Sequence, residues 1–208
     1  MEPAVALALP ADAATRHQPK ARQLVWRDLA PADTNLIGGL AIACIRWLLL
    51  RAFESQSRET VVSMLDSALH LERVDARDLA WLAERVDDRR RPWLDLADAR
   101  SESPLETRLR LLLVDAGIPP DHLNHRVRRG GRVLARIDVA YVRSGLKLAI
   151  EADGVGPHSL PTALFKDRKR QSLLASLGWT VLRFTWSDVV GRPDYVVDEV
   201  RRHLLAAA

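Results

Sequence analysis

The chain has 208 residues, of which 48% are hydrophobic and 28% are charged, and its formal net charge is +4. This length suits one large domain or two small ones, and the composition excludes a chain that is disordered along most of its length. Residues 101–208 carry 17 Lys and Arg against 12 Asp and Glu, whereas residues 1–100 carry 14 against 15. A nucleic-acid partner is therefore expected at the second half.

Cys44 is the only cysteine, which rules out an intrachain disulfide and a zinc site built from several cysteines. A reducing, cytoplasmic location is the default expectation, and the first residues lack the basic stretch of a secretion signal. Residues 36–53 approach the length of a membrane span, but Arg46 lies near their centre and Gly38-Gly39 interrupts them. We expect a strand and a helix there, and no membrane partner.

Residues 1–100 are predicted to form a mainly helical region. In SRETVVSMLDSALHLERV, residues 57–74, apolar residues recur at helical spacing and Ser57 is the candidate N-cap. Asp75 opens a second helix, in which Leu79 and Leu82 share one stripe. These helices carry no chemical signal of their own.

Residues 101–208 are predicted to form a second domain with the order α-β-β-β-α-β-α. Ser103 is the N-cap of its first helix, Pro104 takes the first helical position, and Glu106 stands at the capping-box position. Gly130-Gly131 and Ser144-Gly145 indicate hairpin turns between three strands. The result is an α/β fold in which helices flank a mixed sheet.

Two carboxylates stand where charge is unfavourable. Asp138 interrupts an apolar strand between Ile137 and Val139, and Glu151 ends the buried strand LKLAIEAD. Antiparallel pairing around Ser144-Gly145 brings these acids near one another, where their charges repel. A divalent cation such as Mg²⁺ or Mn²⁺ would resolve that repulsion, and it would suit metal-assisted phosphodiester hydrolysis.

The second half resembles the PD-(D/E)XK nuclease core. SPLETRLRLLLVDAG is similar to its opening helix, RIDVAY to its metal-binding strand, IEADGVGPH to its acid-Gly-His segment, and GWTVLRFTWSDV to its last strand. The likeness is closer to very-short-patch repair endonucleases and related endonuclease-like domains. It implies a restriction-endonuclease-like αβββαβ core, preceded here by a helical N-terminal region.

The resemblance assigns roles to the residues that match. Asp138 and Glu151 would be metal ligands, with the carbonyl of Ala152 a third, and Glu106 would hold a metal-bound water. His158 would assist the attacking water. The implied activity is Mg²⁺- or Mn²⁺-dependent cleavage of DNA, and the implied assembly is a homodimer that cuts both strands.

One position departs from the family pattern. The pattern has a lysine two residues after the Glu, and this chain has Asp153 there. The related endonuclease-like domains show the same Glu-x-Asp-Gly, so Asp153 is a candidate metal ligand as well as a candidate turn residue. Lys169 or Lys166 would then supply the missing positive charge.

Two groups of cations are candidates for binding the DNA backbone. Four lie in FKDRKRQ at the start of a helix, and four surround the hairpin turn. These residues are Lys166, Arg168, Lys169, Arg170, Arg126, Arg128, Arg129 and Arg132. Together they would form a basic groove beside the acids, although the hairpin group is equally compatible with a solvated turn.

Other interpretations of the same residues stay open. Asp138 and Glu151 are also compatible with structural acids bonded to nearby arginines, Glu106 with a capping residue alone, and His158 with a loop histidine. The domain would then be a DNA- or partner-binding module of a toxin-antitoxin or regulatory system, or a structural domain. The N-terminal half is loosely similar to actinobacterial proteins in which an AbiEi-like antitoxin segment precedes such a domain.

Overall fold

The structure is a computed structural model, and it describes residues 6–9, 22–25, 33–37, 40–143, 145–154 and 161–206. The N-terminal region begins with four short strands and continues with three α-helices and a 3-10 helix. The strands are β1 (Ala6–Leu9), β2 (Arg22–Val25), β3 (Thr34–Ile37) and β4 (Leu40–Ala43). The helices are α1 (Ile45–Ser55), α2 (Arg58–His70), α3 (Ala76–Ala83) and the 3-10 helix Arg91–Leu96.

The helical part of this region follows the local signals in the sequence. Ser57 accepts a hydrogen bond from the Thr60 backbone N–H at the start of α2, and Asp75 forms a capping box at the start of α3. The predicted strand and helix within residues 36–53 are β4 and α1. The pairs β1–β2, which is parallel, and β3–β4, which is antiparallel, were not expected from the sequence.

The C-terminal region follows the predicted order of elements, with one extra short helix. Its elements are α4 (Pro104–Asp115), β5 (His122–Arg129), β6 (Arg132–Arg143), β7 (Leu146–Asp153), α5 (Pro161–Ser176), β8 (Thr180–Thr185), α6 (Trp186–Gly191) and α7 (Pro193–Leu205). The sheet order is β5-β6-β7-β8, with β7 and β8 parallel and the other pairs antiparallel. The predicted α/β fold with a restriction-endonuclease-like core and a helical N-terminal region is confirmed.

Helices cover both faces of this four-stranded sheet. Val139, Tyr141, Leu148 and Ile150 pack on one face in a core that also includes residues of α4, α6 and α7. On the other face, small residues such as Ala140 and Ala149 make room for Leu174 of α5 and for Trp179. The functional candidates of β6 and β7 therefore lie between two packed layers.

A buried ion pair joins the N-terminal helices to the C-terminal region. Asp66 of α2 contacts Arg110 of α4 at 2.8 Å, and both residues are buried. Asp66 also accepts hydrogen bonds from the Thr107 hydroxyl and the Asp98 backbone N–H, each at 2.7 Å. This contact crosses the predicted boundary near residue 100, and the division into domains 1–100 and 101–208 stays a prediction.

The part of the chain that the structure describes contains no helix of sufficient length and apolarity to span a membrane. Arg46, which interrupts the apolar stretch of residues 36–53, pairs with Asp33 beside α1.

Candidate active site

The candidate site lies where β6 and β7 stop pairing. The last paired residues toward the end of β7 are Val139 and Ile150, and the next positions on the two strands are Asp138 and Glu151. The backbone N–H of Ala152 donates a hydrogen bond of 2.9 Å to Asp138 Oδ2. The carboxylate of Asp138 therefore lies beside the backbone at the end of β7.

Asp138 stands at an irregularity of its strand. In a regular strand, residues 137 and 139 would face the same side of the sheet. Here Ile137 packs in the core on the α5 side and Val139 in the core on the α4 side. On the neighbouring strand, Asn124 has a positive φ of 49° between the pairs Leu123–Val139 and His125–Ile137. The alternation of side chains is thus interrupted at Asp138.

Glu151 is paired with two arginines. Arg170 Nη2 of α5 lies 2.6 Å from Glu151 Oε1, and Arg183 Nη2 of β8 lies 3.2 Å from Glu151 Oε2. Arg183 is also the residue that faces Glu151 in the parallel β7–β8 register. Arg170 additionally donates a hydrogen bond to the backbone carbonyl of Arg136. The negative charge of this buried carboxylate is therefore compensated by guanidinium groups.

Glu106 fixes the start of α4. Its Oε2 accepts the Glu102 backbone N–H at 2.9 Å, and its Oε1 accepts the Ser103 hydroxyl at 2.8 Å. Burial, together with repulsion from Asp138 and Glu102, raises the pKa of Glu106. Glu106 is thus a capping residue whose carboxylate also experiences the charge of Asp138.

Burial also raises the pKa of Asp138. The hydrogen bond from Ala152 and the attraction of Arg170 and Arg136 oppose this effect, and the repulsion of Glu102 adds to it. Ionisation of a carboxyl whose pKa is raised in this way costs more free energy inside the fold than it does in water. Such perturbed groups are typical of functional sites, although structural networks of ion pairs also produce them.

The remaining acid candidates are placed to different extents. Asp153, which is half-buried, ends β7 opposite Thr185 of β8. His158 lies outside the described residues. In the described part of the chain, no group of three or more His, Cys, Asp and Glu side chains is arranged to hold a metal ion. Because Glu151 is held by two arginines, the acids of β6 and β7 do not fit a divalent cation in this arrangement.

The cations predicted for DNA contact lie on the surface. Arg126, Arg128, Arg129, Arg132, Arg168 and Lys169 are exposed, and Arg170 is half-buried beside Glu151. Gly130 and Gly131 have positive φ angles of 56° and 77°, as a two-residue hairpin turn requires. This turn projects the hairpin arginines from the sheet. Lys166 lies in α5, and its side chain is outside the described part.

The sequence interpretation missed one partner of Glu151. Arg170 and Arg183 are the cations that contact Glu151. The sequence had indicated Arg170 for DNA contact and had not indicated Arg183. Arg183 gave a signal of the same kind as Asp138, because it is a charged residue between Leu182 and Phe184 in an apolar strand.

A cavity of about 530 Å³ lies elsewhere, between α1, α2 and the start of α4. Its lining is mainly apolar, with Leu48, Met64 and Trp186 among its residues, and it includes no carboxylate. It is therefore separate from the acids of β6 and β7.

Comparison with known proteins gives a family match within the C-terminal region. The family model REase_MTES_1575, of a restriction-endonuclease-like family, matches residues 122–204. This match supports a restriction-endonuclease-like domain in the C-terminal region.

Two relatives extend the similarity beyond this domain. They are the uncharacterized proteins MT2308 and Rv2248 of Mycobacterium tuberculosis, from strains CDC 1551 / Oshkosh and ATCC 25618 / H37Rv. Each is 27% identical to this chain over 198 residues, which cover 93% of this chain and 72% of the relative. No solved structure gives a significant match.

Proposed function

We propose that this protein is a DNA endonuclease that hydrolyses phosphodiester bonds with Mg²⁺ or Mn²⁺ in the cytoplasm. The observation that carries the proposal is the position of Asp138 and Glu151 at one end of two neighbouring strands, inside a domain that matches a restriction-endonuclease-like family. Exposed arginines on the adjacent hairpin support a DNA partner. The family generally uses divalent metal ions, which supports the choice of cofactor.

The residue roles are part of the same proposal. Asp138, Glu151 and Asp153 would hold the metal ion, provided that Glu151 leaves its arginine partners. Glu106 and His158 would position water, and Lys169 or Lys166 would add positive charge near the phosphate. A substrate like that of very-short-patch repair endonucleases, and a homodimer that cuts both strands, complete the proposal.

A second candidate function is a DNA- or partner-binding module without catalysis, in a toxin-antitoxin or regulatory system. Two observations favour it: Asp153 replaces the motif lysine, and Glu151 is neutralised by Arg170 and Arg183. The charge of a buried carboxylate that is paired in this way is compensated without a metal ion.

Plasmid nicking together with DNA retardation distinguishes the two candidates. The nuclease nicks supercoiled plasmid in Mg²⁺ or Mn²⁺ and not in EDTA, and Asp138→Ala abolishes the nicking. A matched control is Asp115→Ala, because Asp115 pairs with Arg58 on the surface. Retardation of DNA by both variants, with no nicking by the wild-type protein in either metal, would support the binding module instead.

A further inference from the structure

The cavity between α1, α2 and the start of α4 opens to the surface as an apolar groove. Four large apolar side chains that line it are between 37% and 58% exposed, namely Leu48, Met64, Leu71 and Trp186. Single exposed apolar residues are ordinary on a protein surface, whereas several that share one groove are typical of a place where another molecule binds. Among the residues that the structure describes, the lining includes none of the acids of β6 and β7, so the groove is independent of the proposed nuclease site.

One face of α2 lines the apolar groove along most of the helix. The lining residues on α2 and at its C-cap recur every three or four positions: Thr60, Ser63, Met64, Ser67, Ala68 and Leu71. From Thr60 to Leu71 this face is about 16 Å long, at a rise of about 1.5 Å per residue. Residues of α1 and of the start of α4 line the same groove. A second helix can therefore lie along α2 and contact it over about three turns.

Two arginines that line the apolar groove have no acidic partner. In the part of the chain that the structure describes, neither Arg73 nor Arg108 forms an ion pair. Arg108 lies over the Trp186 ring instead, with 5.3 Å between its guanidinium carbon and the ring centroid. Other arginines of the neighbouring helices are paired with acids, namely Arg51, Arg58 and Arg110. The described lining also contains no carboxylate, so the positive charge of the groove is not compensated within it.

We propose that the apolar groove binds an amphipathic helix of a partner protein, and that acidic residues on this helix pair with Arg73 and Arg108. Apolar side chains of the partner at i, i+4 and i+7 cover Leu48, Met64 and Leu71, and this burial supplies most of the affinity. The two ion pairs orient the partner and speed its association. A nucleic-acid backbone does not suit the groove, because phosphates offer no apolar surface to leucine and methionine side chains.

Selection from a displayed library of helical peptides tests the proposal without knowledge of the natural partner. The library contains random sequences of about 18 residues, which form about five helical turns, and the full chain is the immobilised target. Recovered peptides are expected to have apolar residues at i, i+4 and i+7, with Asp or Glu beside them. Fluorescence anisotropy of a labelled recovered peptide then measures its affinity for the wild-type protein and for variants.

Met64→Glu changes the apolar lining at a position that is 37% exposed and outside the core of the helices. This variant is expected to bind the peptide at least about 10-fold more weakly, because an apolar contact is lost and the acids of the peptide are repelled. Val114→Glu is the matched control, since Val114 is a helical residue of α4 that is 36% exposed and lies outside the groove. The control should bind the peptide as wild-type protein does, and circular dichroism checks the folding of both variants.

Charge reversal tests the role of the two arginines. Arg73→Glu and Arg108→Glu are each expected to weaken binding of an acidic recovered peptide by about 5-fold, because an attraction is replaced by a repulsion. The same peptide with Lys in place of its acids should bind these variants more tightly than it binds the wild-type protein.

Four results would overturn the proposal. They are a library that yields no peptide, recovered peptides that lack acidic residues, equal affinity of wild-type protein and Met64→Glu, and unchanged affinity in both charge reversals. Analytical ultracentrifugation adds a fifth: self-association of wild-type protein that Met64→Glu abolishes would show that the groove binds a second copy of this chain. Each of these results leaves the nuclease proposal to be decided by plasmid nicking.

Discussion

Asp138 is a partly buried carboxylate whose ionised form lowers the stability of the fold. Burial raises the pKa of Asp138 in the folded state. The protonated carboxyl therefore makes its full contribution to the free energy of unfolding when the pH is below the pKa of the unfolded state. That contribution is lost as the pH rises through the folded pKa. An asparagine at this position has no charge to bury, and its oxygen can still accept the Ala152 backbone N–H.

Asp138→Asn is therefore expected to unfold at a higher temperature than the wild-type protein at pH 7. The difference should vanish below the ordinary aspartate pKa of about 3.9, where both side chains are neutral. Thermal unfolding followed by circular dichroism across this pH range checks the prediction.

Asp121→Asn provides a control of the opposite sign. Although burial opposes them, hydrogen bonds from Arg143 and the Val142 backbone N–H hold the pKa of Asp121 below its ordinary value. Its contribution is present above the unfolded pKa, so this variant should lose stability at pH 7. A destabilised Asp138→Asn at pH 7 would show that the charge of Asp138 serves the fold.

The roles that could be predicted from the sequence are those that depend on residues close by along the chain. The caps Ser57, Asp75 and Ser103 act within three residues along the chain, and the Gly130-Gly131 turn depends on backbone freedom alone. The contact of Glu151 with Arg170 and Arg183 was not predicted as such, because it joins β7 to α5 and to β8. Such contacts depend on packing between elements that are distant in sequence.

At the scale of elements, the start of α4 joins a helix cap to the candidate site. The Ser103 hydroxyl accepts the Glu106 backbone N–H and donates to the Glu106 carboxylate. Ser103→Ala removes both bonds and is expected to lower the free energy of unfolding by about 1 kcal/mol. Urea denaturation measures this change, and the exposed Ser67→Ala in α2 serves as the control. Equal stability of both variants would contradict the role of the cap.

The β5–β6 hairpin carries exposed arginines whose charge should determine the salt dependence of DNA binding. Replacing Arg128 and Arg129 by Gln removes two cations that are candidates for neutralising DNA phosphates. The slope of log K against log salt concentration should then fall by about 0.9 for each phosphate that is no longer neutralised. Fluorescence anisotropy of a labelled duplex at several salt concentrations measures the slope. A slope equal to that of wild-type protein would identify the hairpin as a solvated turn.

At the scale of the whole molecule, the buried pair of Asp66 and Arg110 connects α2 to α4. Arg110 also donates to the Leu96 carbonyl at 2.7 Å and to the Ser101 hydroxyl at 3.2 Å, so the network is well satisfied. Nothing in the sequence pattern predicted this pair, because its members belong to two different helices. The pair holds the N-terminal helices against the domain that carries the candidate site.

Asp66→Ala leaves the Arg110 guanidinium buried without its carboxylate and is expected to lower the free energy of unfolding by about 3–5 kcal/mol. Guanidinium chloride denaturation measures the loss. Glu54→Ala, which breaks a surface pair with Arg51, should change stability by less than about 1 kcal/mol. Similar effects of both substitutions would mean that the two halves are not held together by this pair.

The rate of Mn²⁺-dependent plasmid nicking, compared between wild-type protein and Asp138→Asn, tests the central claim most directly. The variant is expected to be at least as stable as the wild-type protein at pH 7. A loss of nicking by the variant would therefore not result from unfolding. We predict nicking by the wild-type protein in Mn²⁺ and none by the variant. Equal rates in the two proteins, or nicking by wild-type protein that persists in EDTA, would contradict the proposal of a metal-dependent nuclease at Asp138 and Glu151.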